Sequence, residues 1–116
     1  MKAGAAVRLA YGAAALLAPR AVAGRIAAPE SESVMNLRGF GGQHVAVALF
    51  TLAATRSPEL AVPALRLNAG IEVCDAVAGA LEVREKGIGD PLALGGVLLP
   101  FAGLATWMTS LRALRT

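Results

Sequence analysis

A single cysteine, Cys74, cannot close an internal disulfide, so cysteine usage does not reveal a redox compartment. Charge is scarce as well. Lys, Arg, Asp and Glu make up 16% of the 116 residues, where soluble domains carry about a quarter. A soluble chain of this size must keep a charged surface, and this one has little charge to spread over it. Aromatic residues are only 4%, and the eleven Lys and Arg are scattered, mostly at the ends of apolar blocks. With no basic stripe and no interleaved aromatics, the net charge of +3 does not indicate nucleic acid as a partner. Lipidation motifs are lacking. One His, one Cys and the acids show no repeated ligand spacing, so no metal and no cofactor is expected. The "GFGG" of residues 39–42 is not a phosphate loop, because no strand precedes it and no Lys-Ser/Thr follows. Close helix packing explains it better.

What is present is apolar. Hydrophobic residues reach 56%, above the usual level of about 45–50%, though alanine supplies much of the excess and mean hydropathy is +0.60. The length allows one domain, 1–116. Four blocks stand out: Ala3 to Ala18, weakly extended past Pro19 to Ala28; Asn36 to Thr55; Ala61 to Glu82; and Leu92 to Leu111. Three approach the ~20 residues that cross a bilayer; the first is short and carries Arg8. None alternates like a strand, and Ala and Leu favour helix. "APESES", "TRSPEL" and "REKGIGDP" punctuate the blocks. The expected fold class is all-α, an integral membrane bundle of four antiparallel transmembrane helices. The first block also has features of a secretory signal, with Lys2 and a small-residue site at Ala21–Ala23, but Arg8, Tyr11 and Gly12 interrupt its core. Lys2, Arg8, Arg56, Arg66, Arg112 and Arg115 collect on one side, which predicts a multi-pass cell-membrane protein with both termini cytoplasmic.

Polar residues inside the blocks are the functional signal. At 100° per residue, Asn68, Glu72, Asp75 and Gly79 fall on one helical stripe. Glu72 lies about 16 Å from the helix edge, near the midplane, where an ionisable group costs at least ~2.5 kcal/mol. Such groups face a bundle interior or a wet cavity. The bland alternative is an amphipathic helix whose stripe faces water. In the second block, Gln43 and His44 fall at about the depth of Glu72 and Asp75, with Arg38 above. Tyr11 is the polar group of the first block, with Arg8 about a turn nearer the helix start, where it either joins the polar residues or snorkels to the interface. Trp107 reads as an interfacial anchor. The expected site therefore has Glu72, Asp75 and His44 as acid and base, with Tyr11, Arg38, Gln43 and Asn68 binding.

"RLAYGAAALLAP", "NLRGFGGQHVAVALF" and an acidic third block together resemble the small four-helix bacterial membrane proteins of the DoxX-like type. The shared features are Gly12, Leu16, Leu17 and Pro19, then Arg38, Gly39, Gly41 and Gly42. The resemblance implies four helices and a polar centre, and no activity. In size the chain is also similar to the small multidrug transporters, four-helix dimers with a glutamate in the first helix, so a homodimer is one expected form. Here the acidic pair is in the third block, which counts against that transport mechanism.

Three functions are compatible with these residues. The first is a membrane-embedded enzyme acting on a lipophilic small molecule by isomerisation, cyclisation or epoxide opening, with a terpenoid or polyketide as examples. Two close carboxylates would divide acid and base roles between them. The others are a proton-coupled transporter and an accessory subunit whose buried polar residues hold helices together.

Overall fold

The structure, a computed structural model, describes residues 1–25 and 31–116. The extension of the first block to Ala28, and Pro29 and Glu30 of the expected loop, lie outside them. Five helices follow in order: α1 (Lys2–Leu17), α2 (Pro19–Arg25), α3 (Ser31–Ala54), α4 (Pro58–Lys86) and α5 (Pro91–Ala113). The described residues contain no strand.

The helix limits follow from local chemistry. Pro19 has no N–H to continue α1 and opens α2 at a position that needs none. Pro58 opens α4 in the same way, with Glu59 in the first turn and Arg84 and Lys86 in the last, each matching the helix dipole. Gly87 ends α4 at φ 89°, a conformation that favours glycine, and its N–H donates to the Val83 carbonyl at 2.8 Å. Asp90 then caps α5: its Oδ1 accepts the Ala93 N–H at 3.2 Å, with Pro91 in the first turn.

The chain divides into two compact units, Lys2–Arg56 and Ser57–Thr116, Met1 being grouped with the second. In the first unit α1 packs on α3, and α2 lies against both. In the second, α4 packs on α5. Both pairings are made by glycine. The backbone at Gly41 meets Leu16 and Gly12 so closely that a Cβ would strike main-chain atoms, and Gly79 meets the Gly96 carbonyl in the same way. Small residues at a crossing let backbones approach and leave dispersion to hold the helices together. Leu65, Trp107 and Leu111 form the larger apolar cluster of the second unit, with Val62 and Ala69 against it.

Four membrane-spanning helices are not what the structure contains. Among the described residues only the segment Ala93–Ala113 is both long and apolar enough to cross a bilayer, with a mean hydropathy of 1.4. The expectation of a multi-pass bundle fails with it. The physical reason is alanine, which builds helix well but adds little hydropathy. In addition α1 is only 16 residues long. α4 is 29 residues long but carries Glu59, Arg66, Glu72, Asp75, Glu82, Arg84, Glu85 and Lys86.

Side chains are nevertheless distributed unlike those of an ordinary soluble core. Arg8, His44, Thr51, Asn68 and Glu72 are buried, and the buried apolar residues are mostly alanine. Leu17, Met35, Leu49, Val77, Leu98, Leu99 and Phe101 are exposed. Single exposed apolar residues are normal, but so many large ones over a polar and alanine interior are not.

Candidate functional site

The first unit holds a polar centre at its glycine crossing. Gly12 and Gly41 bring α1 and α3 together, and Arg8 lies one turn before Gly12 while His44 lies nearly one turn after Gly41. Arg8 is 2% exposed, so its guanidinium joins the polar residues and does not snorkel. Its Nη1 donates to His44 Nδ1 at 3.1 Å. Guanidinium has no acceptor, so Nδ1 must carry the lone pair and the ring proton belongs on Nε2. Burial and the nearby Arg8 charge lower the His44 pKa from 6.5 to about 4, which keeps the imidazole neutral.

Tyr11 completes the group. Its hydroxyl donates to the same Nδ1 at 2.9 Å. One lone pair therefore faces two donors. Arg8 is enclosed, whereas Tyr11 is 40% exposed, so Tyr11 is the donor that can turn toward another acceptor. The guanidinium and the phenol oxygen, 3.1 and 2.9 Å from one atom, are at most 6.0 Å apart. Three rings cluster here: Tyr11 and Phe40 are stacked with centroids 6.2 Å apart, and His44 lies 5.1 Å from Tyr11 and 4.1 Å from Phe40.

A second polar centre lies between α4 and α5. The stripe of Asn68, Glu72 and Gly79 is buried, with Asp75 half-buried. Glu72 Oε1 accepts the Trp107 indole N–H at 3.2 Å. Trp107 is thus a buried hydrogen-bond donor and not an interfacial anchor. Gly103, one turn before it, makes room for the carboxylate: a Cβ there would lie 2.6 Å from Glu72 Cδ. Asn68 Nδ2 donates to the Ala64 carbonyl of its own helix at 2.8 Å.

The expected site residues are therefore distributed over both units. Tyr11 and His44 are brought together in the first unit, while Asn68, Glu72 and Asp75 belong to α4 in the second. Gln43 and Arg38 are exposed. Arg8, Phe40 and Trp107 were missed as functional candidates. Arg8 carried a readable signal, since it sits one helical turn from Gly12 on the face that packs. No group of three or more His, Cys, Asp or Glu side chains suited to a metal occurs among the described residues.

No family model, curated protein or solved structure matches the chain.

Proposed function

We propose that this is a membrane-anchored protein that performs acid–base chemistry on an oxygen atom of a lipophilic small molecule, with Tyr11 as the proton donor. The observation that carries this reading is the convergence of Arg8 and Tyr11 on one nitrogen of His44. A helix-joining role needs only one donor there. Of the two donors, the phenol is the one that solvent or a ligand can reach.

In the proposed step the Tyr11 O–H bond breaks and a bond from that proton to a carbonyl or epoxide oxygen forms. The phenolate left behind is stabilised by the nearby Arg8 charge. A proton lost from a carbon of the activated molecule returns to the phenolate, so the overall change is an isomerisation or cyclisation. Attack by water on an activated epoxide returns a proton in the same way. Neutral His44 accepts the Tyr11 hydrogen bond between turnovers and holds the ring in place. The apolar outer surface and the Ala93–Ala113 segment support a location in or on a bilayer, where such molecules partition.

The test is incubation of the purified chain with fractionated lipophilic extracts, followed by mass spectrometry. The expected result is a compound converted to an isomer, or to a product heavier by one water, by the native chain and not by Tyr11→Phe. Conversion untouched by Tyr11→Phe would remove the phenol from the chemistry.

A second reading is a non-catalytic accessory subunit. It is favoured by the Glu72–Trp107 bond, which, like Arg8–His44, ties together the two helices of one unit. On that reading Tyr11→Phe changes nothing but stability.

A further inference from the structure

The rings around Tyr11 carry more information than the acid–base reading uses. Tyr11 and Phe40 are both about two-fifths exposed, at 40% and 39%, although each is packed on a neighbouring ring. Their centroid separation of 6.2 Å is too short to admit a third ring, which needs a gap of about 3.5 Å on each side. The planes are inclined by 26°, so the two rings lie nearly parallel, and His44 packs against both, at 5.1 Å from Tyr11 and 4.1 Å from Phe40. Beside it, Gly39 has open space where a side chain would be, so the approach to Phe40 is not blocked from its own helix. An aliphatic molecule would be served as well by leucine at these positions. Rings are favoured where a π face is to be met.

We infer that Phe40 and Tyr11 form a stacking platform that selects a planar conjugated ligand bearing a carbonyl oxygen. The ligand stacks on the exposed part of these two rings, and its oxygen accepts the Tyr11 hydroxyl hydrogen bond. This rests on the reading of Tyr11 as donor and adds the substrate class. Phe40 becomes a specificity-determining residue that takes no part in proton transfer. The enclosed Arg8 fits this arrangement, since it shares His44 Nδ1 with Tyr11 and can hold that acceptor when the hydroxyl turns to the ligand.

The experiment uses the full chain in mild detergent and three probes of similar bulk. 2-Acetylnaphthalene is planar and carries a carbonyl, naphthalene is planar without one, and 1-decalone is a saturated ketone. Dissociation constants are measured by equilibrium dialysis against detergent blanks. 2-Acetylnaphthalene is expected to bind tightest. Phe40→Leu should weaken it about three- to tenfold, the size of an aromatic pairing increment, and leave 1-decalone unchanged. Phe40→Tyr, which keeps the ring, should restore the preference. Tyr11→Phe should bring 2-acetylnaphthalene down to the level of naphthalene.

Equal affinity for 2-acetylnaphthalene and 1-decalone, or a Phe40→Leu variant that binds both as the native chain does, overturns the platform. The two proposals separate cleanly. If Phe40→Leu is silent but Tyr11→Phe weakens both ketones, the platform falls and the donor stands. If Phe40→Leu acts and Tyr11→Phe does not, the rings select the ligand without the proposed proton donor.

Discussion

Gly103→Ala puts the second polar centre to a quantitative test. The added methyl would lie 2.6 Å from Glu72 Cδ and 2.7 Å from both carboxylate oxygens. Carbon atoms pack at about 3.5 Å, so the carboxylate has to retreat by about 0.9 Å. The Trp107 bond starts at 3.2 Å and has little room to lengthen before it is lost. Overpacking costs about 1–3 kcal/mol and a hydrogen bond to a charged group contributes about 1.5–3 kcal/mol. Against these, alanine is better than glycine in a helix by about 1 kcal/mol. The expected net loss is about 1.5–5 kcal/mol, read by denaturant unfolding of the full chain in detergent. Gly95→Ala on the same helix is the control, because nothing lies within 4 Å of its would-be Cβ. It should be neutral or stabilising. The decisive comparison is Gly103→Ala in a Glu72→Ala background, where the clash is gone and the substitution should become harmless. An equal loss in both backgrounds would refute the assignment of Gly103 as the space that Glu72 occupies.

Gly79→Ala should be at least as damaging as Gly103→Ala, since its methyl meets Gly96 main chain that cannot rotate away, while Gly70→Ala meets open space and should be mildly stabilising; thermal unfolding compares the two. The folded pKa of His44, about 4, lies below its ordinary 6.5, so the unfolded chain takes up the proton first as pH falls. Its contribution is therefore complete above about pH 6.5 and declines toward pH 4, with a slope approaching about 1.4 kcal/mol per pH unit that His44→Gln should abolish. The Lys86–Glu82 pair, at 2.8 Å on the surface of α4, should show no resolvable coupling in a double-mutant cycle, because both side chains are solvated.

Much of the helical organisation was legible because it is governed by local rules. Pro19, Pro58, Asp90 and Gly87 punctuate the chain where sequence chemistry says they should. The 3.6-residue period placed Asn68, Glu72 and Gly79 on one stripe, and that stripe is buried. Membrane crossing was misjudged at α1, α3 and α4 because alanine counts as apolar in composition yet gains little from leaving water. Arg8 was left open and Trp107 misjudged for a different reason. Depth along a helix makes snorkelling and interfacial anchoring the ordinary fates of these residues, and only the partner helix shows otherwise. His44 Nδ1 and the space at Gly103 are properties of a neighbour, which no spacing within one helix encodes.

The partition of aromatic residues has a practical consequence for how this protein can be watched folding. The chain has one tyrosine and one tryptophan, and they lie in different units, Tyr11 on α1 and Trp107 on α5. Each is held by a polar partner of its own unit, His44 or Glu72, so each spectrum should change when that unit alone opens. Tyrosine and indole signals can therefore be followed in one sample without any label. Superimposable unfolding curves would mean that the two helix pairs stand or fall together, and separated midpoints would mean that each is a cooperative body in its own right.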